Sequence, residues 1–253
     1  MKYRLFFIGV LIFAALALSQ APASLLASVM TKELSKNSQA RFSYAHVSGL
    51  AWKGRFDDVV INSTYIGRVD YDISLLALLT GKIKGDLSLR GGAIVGDGKI
   101  VLGKKLIDIN GGNFRVALGD LTSNRALGVP LTGQLRIEAE RLRFNKKGCV
   151  DAKGTIFTDF LHGPARQLNV EGFNLQGPAS CKSDDLELLL SGSGSEGRVG
   201  VELLIKPDLH FQIVANVVPV REEVVEALAF AGFEKNENGL NYQASGNIAG
   251  AVQ

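Results

Sequence analysis

Polar and apolar residues alternate along most of this chain. In Lys82-Ile83-Lys84-Gly85-Asp86-Leu87-Ser88-Leu89-Arg90, the residues Ile83, Leu87 and Leu89 fall on one side, and Lys82, Lys84, Asp86, Ser88 and Arg90 on the other. Side chains of an extended chain point to opposite faces with period 2, so this segment predicts a half-buried strand. Gln134-Leu135-Arg136-Ile137-Glu138-Ala139-Glu140 and Asn113-Phe114-Arg115-Val116-Ala117-Leu118 repeat the pattern. Further strands are predicted at 58–63, 68–73, 99–102, 106–110, 150–157, 167–175, 185–190, 199–205, 210–217 and 240–248. Turn signals separate them: Gly91-Gly92, Gly96-Asp97-Gly98, Gly111-Gly112, Gly177-Pro178 and residues 192–197. Short strands with brief turns run antiparallel, because parallel neighbours need long crossovers. The pattern predicts a mainly β chain: a single curved antiparallel meander sheet, apolar on one face and wetted on the other. On that reading a lysine at Leu87 or at Ile137 places an unpaired charge in the core.

Two short helices interrupt the meander. Residues 74–80 carry Leu75, Leu76, Leu78 and Leu79 and end at Gly81. Residues 221–231 follow Pro219, with Val224, Val225, Leu228 and Ala229 on one face, Glu222 and Glu223 in the first turn, and Gly232 as the cap. A short polar helix is also expected over 30–41, leading into the β-rich part.

The start of the chain departs from this pattern. Lys2 and Arg4 precede residues 5–18, which are apolar apart from Gly9, and no charge follows until Lys32. One reading is a retained transmembrane helix within 5–30, with 1–4 as a cytoplasmic tip and 31–253 as an exported β-rich domain. The other is a signal peptide cut among the small residues near Ala15-Leu16-Ala17 and Ser19. Under either reading the positive flank stays inside and the rest is exported.

Export changes the meaning of the two cysteines. Cys149 and Cys181 are a lone pair, and an oxidising compartment favours a bridge between them; two buried free thiols are the alternative. Their spacing is far from C-x-x-C, which argues against a redox-active pair. The charge balance is 28 Lys+Arg against 25 Asp+Glu, a formal +3. Two of those cations precede the apolar run, leaving the remainder close to neutral, too weak for a grip on nucleic acid built from phosphate contacts. With three histidines and two cysteines in the chain, a Cys/His zinc site is barely possible. No metal or cofactor is expected.

The chemical signals point away from catalysis. Gly192-Ser193-Gly194-Ser195-Glu196-Gly197 matches G-x-G-x-x-G, but a strand-like segment follows where a dinucleotide site needs a helix, so a hairpin is expected. Asp57-Asp58 and Asp184-Asp185 are neighbours on strands or turns, whose side chains diverge. His46, His162 and His210 lie far apart, and no G-x-S-x-G occurs. Asn62-Ser63-Thr64 fits a glycosylation acceptor, a short pattern that carries little by itself.

Val47-Ser48-Gly49-Leu50-Ala51-Trp52-Lys53-Gly54-Arg55 resembles the G-x-x-W-x-G opening of the type II secretion system protein N (GspN) family, carried here by Gly49, Trp52 and Gly54. Tyr71-Asp72-Ile73 followed by Leu75-Leu76-Ala77-Leu78-Leu79-Thr80-Gly81 resembles that family's aromatic-then-leucine segment. Gly96-Asp97-Gly98, Leu131-Thr132-Gly133-Gln134-Leu135, the cysteine pair and the closing Gly239-Leu240-Asn241-Tyr242 are similar to its later features in order. Leu50 stands where the family usually has a threonine-like residue. The resemblance implies a single-pass protein of the bacterial inner membrane with a periplasmic β-rich domain. It implies an accessory role in protein export across the outer membrane, other secretion-machine components as partners, and no active site. The meander also resembles AsmA-like, open-barrel-like sheets, an analogy of fold alone.

Three functions are then weighed: a scaffold in the secretion apparatus, a lipid-binding or lipid-transport module with an apolar groove, and an enzyme. The third lacks an assembled catalytic group, so the expectation is a non-enzyme that works by contact with protein partners or lipid.

Overall fold

The computed structural model describes Tyr3, Phe6 and residues 20–37, 41–78, 80–103, 105–120, 132–167, 171–208, 210–230, 232–237 and 239–247. The chain enters through α1 (Ala23–Asn37), then β1 (Phe42–Ser43), β2 (His46–Gly49), β3 (Lys53–Ile61), β4 (Thr64–Ile73) and α2 (Leu75–Leu78). The middle consists of β5 (Ile83–Gly91), β6 (Ile94–Leu102), β7 (Leu106–Ala117), β8 (Gln134–Asn145) and β9 (Gly148–Thr158). After α3 (His162–Gln167) come β10 (Leu175–Lys182), β11 (Asp185–Gly194), β12 (Gly197–Ile205) and β13 (His210–Pro219), then α4 (Glu222–Phe230), β14 (Glu234–Asn236) and β15 (Gly239–Asn247).

These fifteen strands form one open antiparallel sheet, and from β3 to β13 each lies beside its neighbour in sequence. β1 and β2 share the outer side of β3, while β15 follows β13 and carries β14 on its far side. The alternation seen in the sequence becomes a continuous apolar row across the sheet. It runs Val47, Phe56, Val69, Leu89, Gly96, Phe114, Ile137, Ile156 and Gly177, each opposite the next. Leu190, Val201, Ala215 and Tyr242 continue it.

The apolar face is covered at its two ends. Over β9–β13, Ile156, Leu175, Leu188, Leu190, Val199, Val201 and Val217 are buried, with Phe160, Leu161, Phe173 and Leu228 of α4 packed against them. Over β3 and β4, Phe56, Val59 and Ile66 pack against α1. Ala23 and Ala27, four residues apart on one helical face, are buried there, their small side chains letting the helix lie close to the sheet. This contact makes α1 begin at Ala23, earlier than the polar helix expected over 30–41. The apolar segment 5–18 lies outside the described residues except for Phe6. Among the described residues no helix is long and apolar enough to cross a membrane.

Some punctuation signals acquire a different meaning. Gly96-Asp97-Gly98, read as a turn, lies inside β6, and Gly111-Gly112 lies inside β7 at a bulge where Gly111 takes φ 61°. The cause is Phe114, whose ring lies across Gly96, Gly98 and Gly112. A Cβ on Gly112 would sit 2.5 Å from its Cε2, and one on Gly98 3.0 Å from its Cζ. Gly112→Ala is accordingly expected to cost about 1–3 kcal/mol through overpacking, measured by denaturant unfolding. The penalty should shrink in a Phe114→Leu background; an undiminished penalty would place its cause in the backbone instead.

Gly177-Pro178, also read as a turn, lies within β10, where proline coincides with a gap in the β10–β11 ladder. Of the described residues in the strand expected over 167–175, only Leu175 is extended, where β10 begins: α3 ends at Gln167, and 171–174 are irregular. Among the described residues, α3 is additional to the leucine-rich and C-terminal helices and to the helix expected ahead of the β-rich part. Asn62 and Ser63, placed at a strand end, are the hairpin turn itself, with φ 49° and 69°. Both being positive matches the mirror-image turn that fits strand twist.

Candidate interaction surfaces

The chemical candidates of the sequence stay apart. His46 lies on β2, His162 opens α3 and faces Asn174 Oδ1 across 3.0 Å, and His210 opens β13 beside Asp208 at 3.1 Å. Asp57 accepts from Arg68 Nε at 3.0 Å and Asp58 from the Tyr65 hydroxyl at 2.8 Å. Ser183 and Asp184 join β10 to β11, and the Asp184 carbonyl accepts the Cys149 N–H. Gly192–Gly197 closes the β11–β12 hairpin as expected, Gly194 standing opposite Gly197. Among the described residues there is no group of three His, Cys, Asp or Glu side chains fit to hold a metal.

Two polar clusters sit on the wetted face. A cleft of about 630 Å³ over β3–β6 is lined by Lys53, Arg55, Asp70, Asp72, Asp86 and Arg90. Cross-strand pairs occupy much of it: Lys53 Nζ donates to Asp72 at 2.8 Å and Arg55 Nε to Asp70 at 2.7 Å. The hydrogen bond to Asp72 holds the Lys53 ammonium above its ordinary pKa. On β7 and β8, buried Asp108 accepts from Arg143 Nη2 at 3.1 Å, with Arg141 Nη2 at 3.5 Å. Both clusters bind strand to strand across adjacent positions, the sheet counterpart of helical ion pairs.

The motif glycines and Trp52 form the β2–β3 hairpin. Gly49 takes φ 93°, and a Cβ there would lie 2.6 Å from the Lys53 carbonyl oxygen. Gly54 is held bare by Tyr71, whose Oη would sit 2.5 Å from an added Cβ. That hydroxyl donates to the Leu50 carbonyl at 2.9 Å, and burial pushes the phenol above its ordinary pKa, so it stays a donor. The Trp52 carbonyl accepts from Ile73 N–H. The same hairpin receives the entering chain: Ala51 N–H donates to the Ala21 carbonyl at 2.8 Å, and Pro22 bridges Leu50. Sequence spacing alone revealed the motif but not this docking role.

The cysteine pair is bridged. Cys149 and Cys181, with Cα atoms 5.6 Å apart, join β9 to β10 beyond the point where their ladder stops at Gly154 and Ala179.

The described residues leave two surfaces open. The first is a strip of the apolar face between the covered ends. Ile83, Leu102 and Ile107 stand opposite one another on β5, β6 and β7, and are 43%, 38% and 48% exposed. Ile100, Ile109, Leu142 and Phe144 extend the strip, half-buried. The second is an edge. β14 covers only Gly239–Asn241 of β15, and from Tyr242 to Asn247 no described strand lies on that side. That stretch has neither charge nor proline, the residues that ordinarily protect an edge. Sequence reasoning anticipated an apolar groove and contact through sheet edges but could not place either, because coverage of a face depends on elements far along the chain.

The family described as "Type II secretion system (T2SS), protein N" matches residues 40–241. No curated protein and no solved structure matches.

Proposed function

Since the chain belongs to the type II secretion system protein N family, we propose that it is a scaffold of that pathway, tethered to the inner membrane and working in the periplasm by contact. The family carries an accessory role in type II secretion. The membrane tether lies within the apolar N-terminal stretch, residues 5–30 on the sequence reading, and its chain reaches the sheet where Ala21 docks on the β2–β3 hairpin. The observation that carries the reading is the open edge of β15. Its N–H and C=O groups, which no described strand pairs, offer a partner strand a ladder to extend, beside a side-chain row already apolar at Tyr242 and Ala244. Other secretion-machine components are the partners.

A second reading concerns lipid. The strip on β5–β8 is aliphatic apart from Phe144, the chemistry that receives acyl chains. One experiment separates the two. A photo-crosslinking side chain placed at Ser245, and in a second variant at Leu142, in the strip opposite Ile109, is activated in cells with an assembled secretion machine. Adducts with secretion components at position 245 are expected. Lipid adducts at position 142 with no protein adduct at 245 would replace the scaffold with the lipid module.

A further inference from the structure

In a meander, alternate connections gather at one end of the sheet, and here the two ends differ in charge. The β2–β3, β4–β5, β6–β7 and β8–β9 connections share an end. Lys82, Lys105, Lys146 and Lys147 lie exposed at these tips, and none forms an ion pair with a described residue. Leu76, 77% exposed on α2, belongs to the β4–β5 connection, and the exposed Leu102 and Ile107 flank the β6–β7 connection. The opposite end carries Glu222, Glu223, Glu226 and Glu237, all exposed. The basic tips are those nearest the entering chain; the last two tips of the same end, at Asp184 and Asp208, bear acids as well.

We infer that this rim of lysines and aliphatic side chains docks on the anionic phospholipid surface of the membrane that holds the tether. The inference rests on the tether proposed above. Where the chain reaches the sheet it is held closely: Ala21 is hydrogen-bonded to Ala51 and Pro22 bridges Leu50, so a tether ending just ahead of Ala21 sets the β2–β3 tip against the membrane. Each residue of chain spans only about 3.5 Å. The Trp52 carbonyl ties that tip to Ile73, directly before α2, so Leu76 and Lys82 come next. Lysines beside a membrane are drawn to anionic headgroups, and their stems lie along the apolar boundary. Leu76, Leu102 and Ile107 supply side chains that enter it. Neighbouring strands rotate by about 20–25°, so contact weakens from the β4–β5 tip toward the β8–β9 tip.

The full chain, reconstituted in vesicles with its domain outward, tests this through the rate at which a membrane-impermeant succinimidyl ester acylates each lysine. Phosphatidylglycerol-containing vesicles, phosphatidylcholine vesicles and detergent micelles are compared, read by mass spectrometry. Lys82 and Lys105 are expected to react about five-fold slower or more in the anionic vesicles than in micelles. Lys146 and Lys147 should slow less, and Lys235, on β14 at the opposite end, should be unchanged. Equal rates in micelles and anionic vesicles would overturn the docking. So would equal slowing in phosphatidylcholine, which would reduce it to proximity. A chain that fails to float with any vesicle overturns the tether itself, a separate outcome.

Discussion

Leu190→Lys is expected to abolish cooperative folding, and Leu87→Lys to leave a folded domain. Leu190 lies on β11 opposite Val201, 7% exposed, within the cluster beneath Leu228 and Phe173. A lysine there has no acidic partner on the apolar face, and burying its charge or neutralising it costs several kcal/mol. The lost packing adds about 2–5 kcal/mol, together comparable to the whole stability of a domain, about 5–15 kcal/mol. Leu87 shares the face by strand parity but belongs to neither packed cluster and is only half-buried. Its lysine reaches water by extending its stem, at a cost of about 1–2 kcal/mol. Ile137, packed against the edge of the large cluster, should fall between. Thermal unfolding of the three variants, followed by circular dichroism, ranks them. A Leu87→Lys variant as unfolded as Leu190→Lys would mean that the middle strip is covered after all.

Replacing the bridge, as Cys149→Ala with Cys181→Ala, is expected to lower stability by about 3.5–4 kcal/mol, the chain-entropy value for a loop of this size. The sequence separation is 32 residues. The location sharpens the expectation. β9 and β10 part company beyond Gly154 and Ala179, so the bridge and the Cys149–Asp184 backbone hydrogen bond hold strands the ladder no longer joins. Urea unfolding with and without reductant separates the contributions. The wild type should fall to the level of the double variant in reductant. A difference that persists would assign the effect to packing of the buried Cys149 side chain.

Strand identity was legible because alternation is local. The segments around Leu87, Ile137, Val201 and Ile213 need only their own neighbours in sequence to declare which side is apolar. Turn identity was less so. Glycine reads as a turn because it tolerates positive φ, but Gly98 and Gly112 serve another need, room for the Phe114 ring, which no window of local sequence displays. The error propagates. Each false turn moves the next connection to the opposite end of the sheet, so inserting one at Gly96-Asp97-Gly98 hides the fact that Lys82 and Lys105 lie at the same end. The motif behaved similarly: Gly49, Trp52 and Gly54 were visible as a pattern, while the reasons for two of them, a positive φ and the Tyr71 hydroxyl, come from residues brought together by pairing.

The sequence by itself determined that this chain is a meander of strands with one oily face, that its cysteines could bridge, and which family it joins. Those properties rest on period, count and order, all of which survive without coordinates. Only the tertiary structure decided where the oily face is sheltered and where it is bare, that the β15 edge lies open, and that lysines from separate hairpins form one rim. Each of these depends on which distant segments meet, and the free energy of burial is set by the partner that arrives as much as by the residue that waits for it.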